Sequence, residues 1–245
     1  MHGTNEIRKQ STDDGSQIQV QEVFATLQGE GPFAGLPAVF VRLTGCHLAC
    51  TFCDTYWSDA DDPYVAATEL AHRAASKWDQ CMGLGALPIF VLTGGEPVRQ
   101  NIEPFINELL RLSPNCIIQI ETAGSFYREI MANERVQVVV SPKTSFVHPI
   151  TARLAVAYKY IIRDADKFHA ETGTPITATQ AGAPTDRDVT LARPPVHLPK
   201  SSIILQPCDE GDEAINAKNR HKCYELAMRH GYRVGLQLHK LLNLP

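Results

Sequence analysis

The chain has 245 residues, 44% hydrophobic and 20% charged, with a formal net charge of −4. One sizeable core fits that length and composition, and the weakly acidic balance gives no electrostatic ground for a nucleic-acid partner. No apolar run approaches the ~20 residues of a membrane span and the opening residues hold no apolar signal core, so no membrane partner is expected and the cytoplasm is the expected location.

In chain order, residues 1–18 are polar and are expected to form a disordered leader, followed by a single domain over 19–245. Apolar runs of strand length then recur: "PAVFVRL" (37–43), "PIFVLTG" (88–94), "CIIQIET" (116–122), "VQVVVSP" (136–142), "AYKYIIR" (157–163), "SIILQPC" (202–208) and "RVGLQLH" (233–239). Most are β-rich and nearly continuous in hydrophobicity, as in parallel strands covered on both faces. Helical patterns separate several of them. "PYVAATELAHRAASKW" (63–78) begins with Pro63 at a first-turn position, and "NIEPFINELLRL" (101–112) has apolar residues at helical spacing. "EGDEAINAKNRHKCYELAMRHG" (210–231) runs from acids to bases and stops at Gly231.

Six or seven strands alternating with helices predict an α/β fold. The expected architecture is a partial (open) TIM-type barrel with about six parallel core strands, short of the eight that close a barrel. The stretch 172–202, rich in Thr, Ala and Pro, is too long for an ordinary connection and is expected to be an insertion or lid. Polar, chemically able residues sit at the strand ends: Thr93 to Pro97, Glu121-Thr122, Ser141-Pro142-Lys143, Gln206 to Asp209 and Gln237 to Lys240. Sites in parallel α/β folds gather where the C-terminal strand ends converge, so this pattern argues for an enzyme.

Seven cysteines on a chain without an export signal argue against a disulfide framework. Cys81, Cys116 and Cys223 stand alone and are expected to pack as small apolar groups. Cys46, Cys50 and Cys53 instead form a C-x3-C-x2-C loop, "GCHLACTFCDTYW" (45–57). Structural zinc could recruit His47 or Asp54 as a fourth ligand, but such sites usually join two separated knuckles and no second C-x2-C or His pair exists. Three unrelated thiols are a further alternative. An iron–sulfur cluster held by three thiolates would leave one iron open, and an open coordination position is what makes a metal site catalytic.

The spacing of the three cysteines, with Phe52 before the last, resembles the radical S-adenosylmethionine superfamily. The ordered series "EVFATLQGEGPFAGLPAVFVRLTGC", "FCDT", "LTGGEP", "IQIETAG", "VVVSPK", "IILQPCD" and "LHKLLNLP" resembles, within it, the 7-carboxy-7-deazaguanine synthase family from about residue 20 onward. The polar leader, the 172–202 stretch and Ala123 of "ETAG" depart from that pattern. The resemblance implies a carbon–nitrogen lyase that turns 6-carboxy-5,6,7,8-tetrahydropterin into 7-carboxy-7-deazaguanine on the way to queuosine. It implies a 4Fe-4S cluster on Cys46, Cys50 and Cys53, whose open iron S-adenosylmethionine chelates before it is cleaved to a 5′-deoxyadenosyl radical. By the same resemblance S-adenosylmethionine meets Phe52, Cys53, Asp54, Gly95, Ser141, Pro142, Lys143, Gln206, Pro207, Cys208 and Asp209. The substrate would meet Leu27, Gln28, Gly29, Arg42 and Thr93, with the terminal carboxylate of Pro245 reading the pterin and Thr55 holding Mg2+. A one-electron donor such as flavodoxin and a homodimer are also implied. Two rivals share the cysteine loop: a glycyl-radical-enzyme activase, which commonly carries further cluster motifs absent here, and a zinc-stabilised binding module.

Overall fold

The computed structural model describes residues 5–56, 63–81, 85–177, 179–180 and 188–244. In chain order they form β1 (Gln17–Leu27), β2 (Pro37–Leu43), β3 (Tyr64–Ala66), α1 (Ala67–Cys81), β4 (Ile89–Gly94), α2 (Glu103–Leu112), β5 (Ile117–Thr122) and β6 (Val136–Val140). There follow α3 (Pro149–Leu154), β7 (Ala155–Ile162), β8 (Lys167–Phe168), β9 (Pro175–Thr177), β10 (Val189–Thr190), β11 (Ile203–Pro207), α4 (Glu213–His230), β12 (Arg233–Val234) and α5 (Leu238–Leu242). The main sheet runs β12-β11-β7-β6-β5-β4-β2-β1-β3, with parallel pairing from β2 through β12 and antiparallel pairing of β1 to β2 and β3. The six long parallel strands are the six expected, and the sheet is the open, partial barrel expected from the sequence.

The two faces of these strands have different jobs. On the outer face Val39, Val41, Phe90, Leu92, Ile118, Ile120, Val138, Tyr158, Tyr160 and Leu205 share one core with α1, α2 and α4. The inner face starts apolar, with Ala38, Ile89 and Val91 in one cluster and Val139, Ala157 and Ile204 in another. Because side chains alternate with period 2, the inward positions further along the same strands are Arg42, Thr93, Gln119, Glu121, Lys159 and Gln206. An apolar floor therefore gives way to a polar mouth at the C-terminal strand ends.

Capping fixes the helix that flanks the mouth. Asp212 accepts hydrogen bonds from Ala214 N at 2.8 Å and Ile215 N at 3.1 Å, and Gly231 closes α4 in the left-handed region at φ 75°.

Several expectations need correction. The leader is not disordered over its described residues. Ile7 pairs with Cys46, Arg8 N donates to Cys46 O at 2.7 Å and Ser11 N to Arg99 O at 2.8 Å. Arg128 Nη2 donates to Ser11 O at 3.0 Å and Arg99 Nη1 to Lys9 O at 3.1 Å. Its backbone N–H and C=O groups are paired with the cysteine loop, Arg99 and Arg128 instead of with water. No strand is expected upstream of residue 37, yet β1 is an 11-residue strand. The pattern expected as a helix over 63–78 opens with β3, because Tyr64 and Val65 pair with Gln19 and Ile18 and α1 starts only at Ala67. The final run yields a two-residue strand and the short α5 in place of a full strand. Cys116 and Cys223 are buried as expected, whereas Cys81 is exposed at the end of α1.

Within 172–202, β9 joins β8 and β10 in a small antiparallel sheet and Leu191 enters the main core. Tyr160 Oη donates to Ala192 O at 2.6 Å. Residues 178 and 181–187 of that stretch lie outside the described residues. Among the described residues no helix is long and apolar enough to cross a membrane.

Candidate active site

A cavity of about 290 Å³ opens at the C-terminal strand ends. Of the residues implied by the resemblance, Leu27, Gln28, Arg42, Cys46, Cys50, Phe52, Cys53, Asp54, Thr55, Thr93, Gly95, Ser141, Lys143, Gln206, Pro207, Cys208 and Asp209 line it. Gly29 and Pro142 do not. A Cβ on Gly29 would sit 2.2 Å from His239 Nδ1, so this glycine packs against α5 and not against the cavity. Pro245 lies outside the described residues.

The cysteine loop follows β2 directly. Leu48 N donates to Cys46 Sγ at 3.4 Å and Gln180 Nε2 to Cys50 Sγ at 3.4 Å, while Asn5 Nδ2 lies 3.9 Å from Cys53 Sγ. Burial raises all three thiols, Cys46 to about 12, so a cation binding there must displace their protons. Among the described residues no three His, Cys, Asp or Glu side chains close on a point suited to a single ion. His47 instead turns to Phe126, ring centroids 4.5 Å apart, and is absent from the cavity wall. Burial, assisted by the nearby Arg99, lowers His47 to about 4. All three thiols line the cavity, with N–H donors aimed at the sulfurs, a feature that iron–sulfur clusters use.

"LTGGEP" closes the loop's other side. Gly95 N donates to Leu43 O at 3.0 Å and Glu96 N to Gly45 O at 2.9 Å. A Cβ on Gly94, at φ +124°, would meet Leu43 O at 2.0 Å, and one on Gly95 would meet Gly45 O at 2.3 Å. The glycines are thus required first by the protein's own backbone, with Gly95 also on the cavity wall. Gly94→Ala is expected to cost about 2–5 kcal/mol, strain plus overpacking, measured as a lower urea midpoint at unchanged slope. Buried Glu96 anchors the turn to β5, accepting from Thr122 Oγ1 at 2.6 Å and Ala123 N at 2.8 Å.

The inward strand positions carry a charge network that motif comparison did not single out. Lys159, 6% exposed, binds Glu30 directly and lies 3.8 Å from Glu121. Glu30 Oε1 accepts from Gln206 Nε2 at 2.9 Å and Gln237 Nε2 at 3.0 Å. Glu121 Oε1 accepts from Gln28 Nε2 at 3.1 Å and Gln119 Nε2 at 2.9 Å. Burial acts to raise the Glu30 carboxyl, but the Lys159 ammonium outweighs it and holds the group well below the usual range. Burial likewise opposes the Lys159 charge, and its two carboxylates push its pKa up regardless. A lone lysine inside the apolar run "AYKYIIR" was the available signal, since a buried charge must have partners.

At the rim Arg42 Nε donates to Glu22 Oε1 at 2.6 Å, from opposite positions on β2 and β1, with its guanidinium 5.8 Å from the Phe24 ring. Lys143 Nζ donates to Ser141 O at 2.9 Å and to Ser141 Oγ at 2.6 Å, and burial lowers its pKa. Lys240 Nζ donates to Asp209 Oδ2 at 2.6 Å, which holds that carboxyl low. Thr55 Oγ1 donates to Asp54 Oδ1 at 3.3 Å.

The chain is 36% identical over 250 residues to a 7-carboxy-7-deazaguanine synthase of Rhodospirillum rubrum, with 100% of both chains covered. It belongs to the 7-carboxy-7-deazaguanine synthase family. A synthase of the same name from Rickettsia prowazekii is 30% identical over 249 residues, covering 100% of this chain and 96% of the relative. QueE from Escherichia coli shares the fold at a TM-score of 0.61 and 23% identity, over 93% of this chain and 99% of that one. No protein-family model matches the sequence. Membership of the synthase family makes this chain a radical S-adenosylmethionine protein, which agrees with the three-thiol loop at the cavity mouth.

Proposed function

We propose that the chain converts 6-carboxy-5,6,7,8-tetrahydropterin to 7-carboxy-7-deazaguanine, releasing ammonia, as a step toward queuosine or related 7-deazapurines. The observation that carries this is the convergence of three cysteines and the polar strand ends on one cavity in a chain of this family. Cys46, Cys50 and Cys53 would hold a 4Fe-4S cluster which, with S-adenosylmethionine bound, supplies the hydrogen-abstracting radical that no side chain can provide.

The remaining work belongs to the protein's own groups. Phe52, Asp54, Gly95, Ser141, Lys143 and Gln206 through Asp209 would surround S-adenosylmethionine. Lys143 would supply a half-buried cation for its carboxylate. Leu27, Gln28 and Thr93 would contact the substrate, and Arg42 would exchange Glu22 for the substrate carboxylate, which its planar fork matches in two hydrogen bonds. The carboxylate oxygens of Glu121 are acceptors that suit the N–H edge of a pterin. Lys159 keeps its proton, and so acts as a fixed positive charge and not as an acid. In a dry site such fixed charges stabilise developing charge far more than they would in water. Thr55, beside Asp54, would share Mg2+ with water and substrate oxygens. A one-electron donor such as flavodoxin and a homodimer complete the proposal.

Anaerobically reconstituted protein should be brown and should release one ammonia per 7-carboxy-7-deazaguanine formed when given the carboxypterin, S-adenosylmethionine and a reductant. Colourless protein, or brown protein that releases no ammonia from this substrate, would overturn the proposal. Thr55→Ala should raise the Mg2+ needed for half-maximal rate on the order of tenfold, with substrate-free cleavage of S-adenosylmethionine little changed.

A further inference from the structure

Two segments remote in sequence, the leader and the 172–202 stretch, meet at the three-cysteine loop. On one side Gln180 pairs with Cys50 as an isolated bridge, and Thr51 N donates to Thr179 O at 2.9 Å. On the other side Ile7 pairs with Cys46, and Asn5 Nδ2 donates to Thr55 O at 2.6 Å. Backbone pairing alone would account for a scaffold. The side-chain amides go further.

The orientation of each amide is fixed by a neighbour of one polarity. Ala49 N, a donor only, lies 2.9 Å from Gln180 Oε1, which turns Nε2 toward Cys50 Sγ at 3.4 Å. Thr55 O, an acceptor only, engages Asn5 Nδ2, which puts the same nitrogen 3.9 Å from Cys53 Sγ. With Leu48 N on Cys46, every thiol of the loop has an N–H donor, two of them from segments 48 and 130 positions away.

Resting on the cluster proposed above, we infer that Asn5 and Gln180 are positioning residues that donate N–H···S hydrogen bonds to the cluster thiolates and so raise its reduction potential. Reduction adds negative charge to the cluster and its sulfurs, so a donor aimed at a sulfur stabilises the reduced form more than the oxidised one. That bias makes the cluster easier for its electron donor to reduce and, by the same amount, a milder reductant afterwards. The shorter contact carries the larger effect, which ranks Gln180 above Asn5.

The test is a redox titration of the reconstituted cluster, followed by electron paramagnetic resonance without S-adenosylmethionine or substrate, in wild type, Asn5→Ala, Gln180→Met and the double variant. Iron and sulfide per chain are measured in parallel. The expected result is full cluster content with a more negative potential in each single variant, a larger shift for Gln180→Met and a near-additive double. A merely structural role would change cluster content or melting temperature and leave the potential unmoved. Unmoved potentials in both single variants at full iron content would overturn the inference. If Gln180→Met holds no cluster, Asn5→Ala decides it: a negative shift upholds the inference and an unmoved potential overturns it. A wild-type protein that takes no iron overturns this inference together with the proposed function, whereas brown wild type with unmoved variants overturns this one alone.

Discussion

Replacing any one of Cys46, Cys50 or Cys53 by alanine is expected to give a folded, colourless protein without turnover. A cluster on three protein thiolates has no ligand to spare, since its fourth corner serves the cofactor. Folding survives because none of the three belongs to the main hydrophobic core, and Cys46 and Cys53 are only partly buried. Circular dichroism should be unchanged and the urea midpoint should move by no more than about 1 kcal/mol in stability. Cys116→Ala and Cys223→Ala form the control, because both thiols sit inside that core. They should keep iron and turnover while losing on the order of 1 kcal/mol of stability. Full turnover in any loop variant would remove the cluster.

Lys159→Met is expected to lose about 3–5 kcal/mol of stability at neutral pH, because it leaves the largely covered carboxylates of Glu30 and Glu121, both paired with this lysine, without their cation. The sign of its pH dependence follows from the pair. Glu30 is held from its ordinary 4.5 down to about 2, so its contribution is complete above pH 4.5 and is lost as pH falls through that lower value. Lys159 is raised above its ordinary 10.5, so its contribution is complete below that pH and is lost only as pH rises through the raised value. Without the lysine, burial pushes Glu30 upward and the folded state prefers the protonated acid. The deficit of Lys159→Met should therefore be largest at neutral and alkaline pH and shrink on acidification. Urea midpoints across that range measure it, and Glu30→Gln added to Lys159→Met should recover part of the loss. A deficit that stays constant with pH would mean that packing, not charge, holds this centre.

The rhythm of the chain is set locally. Apolar strands, amphipathic helices and the Gly231 stop are short-range patterns, and they were enough to predict a partial α/β barrel of about six parallel strands. The three-cysteine loop was equally legible, because its ligands lie within eight consecutive residues. Strand β1 was not, since it pairs antiparallel with β2 through an irregular register near Val20 and carries no long apolar run.

Which inward residues form the site was decided only by the tertiary structure. Both strand faces start apolar, one against helices and the other as the barrel floor, so alternation is hidden until the polar mouth begins. Glu30 and Lys159 are 129 positions apart in sequence, and nothing local marks them as partners. The ordering of residues 5–16 and the arrival of Gln180 at Cys50 likewise depend on donors and acceptors supplied by distant strands. Propensity and periodicity are properties of neighbours along the chain, whereas a buried charge or an amide aimed at sulfur is fixed by neighbours in space.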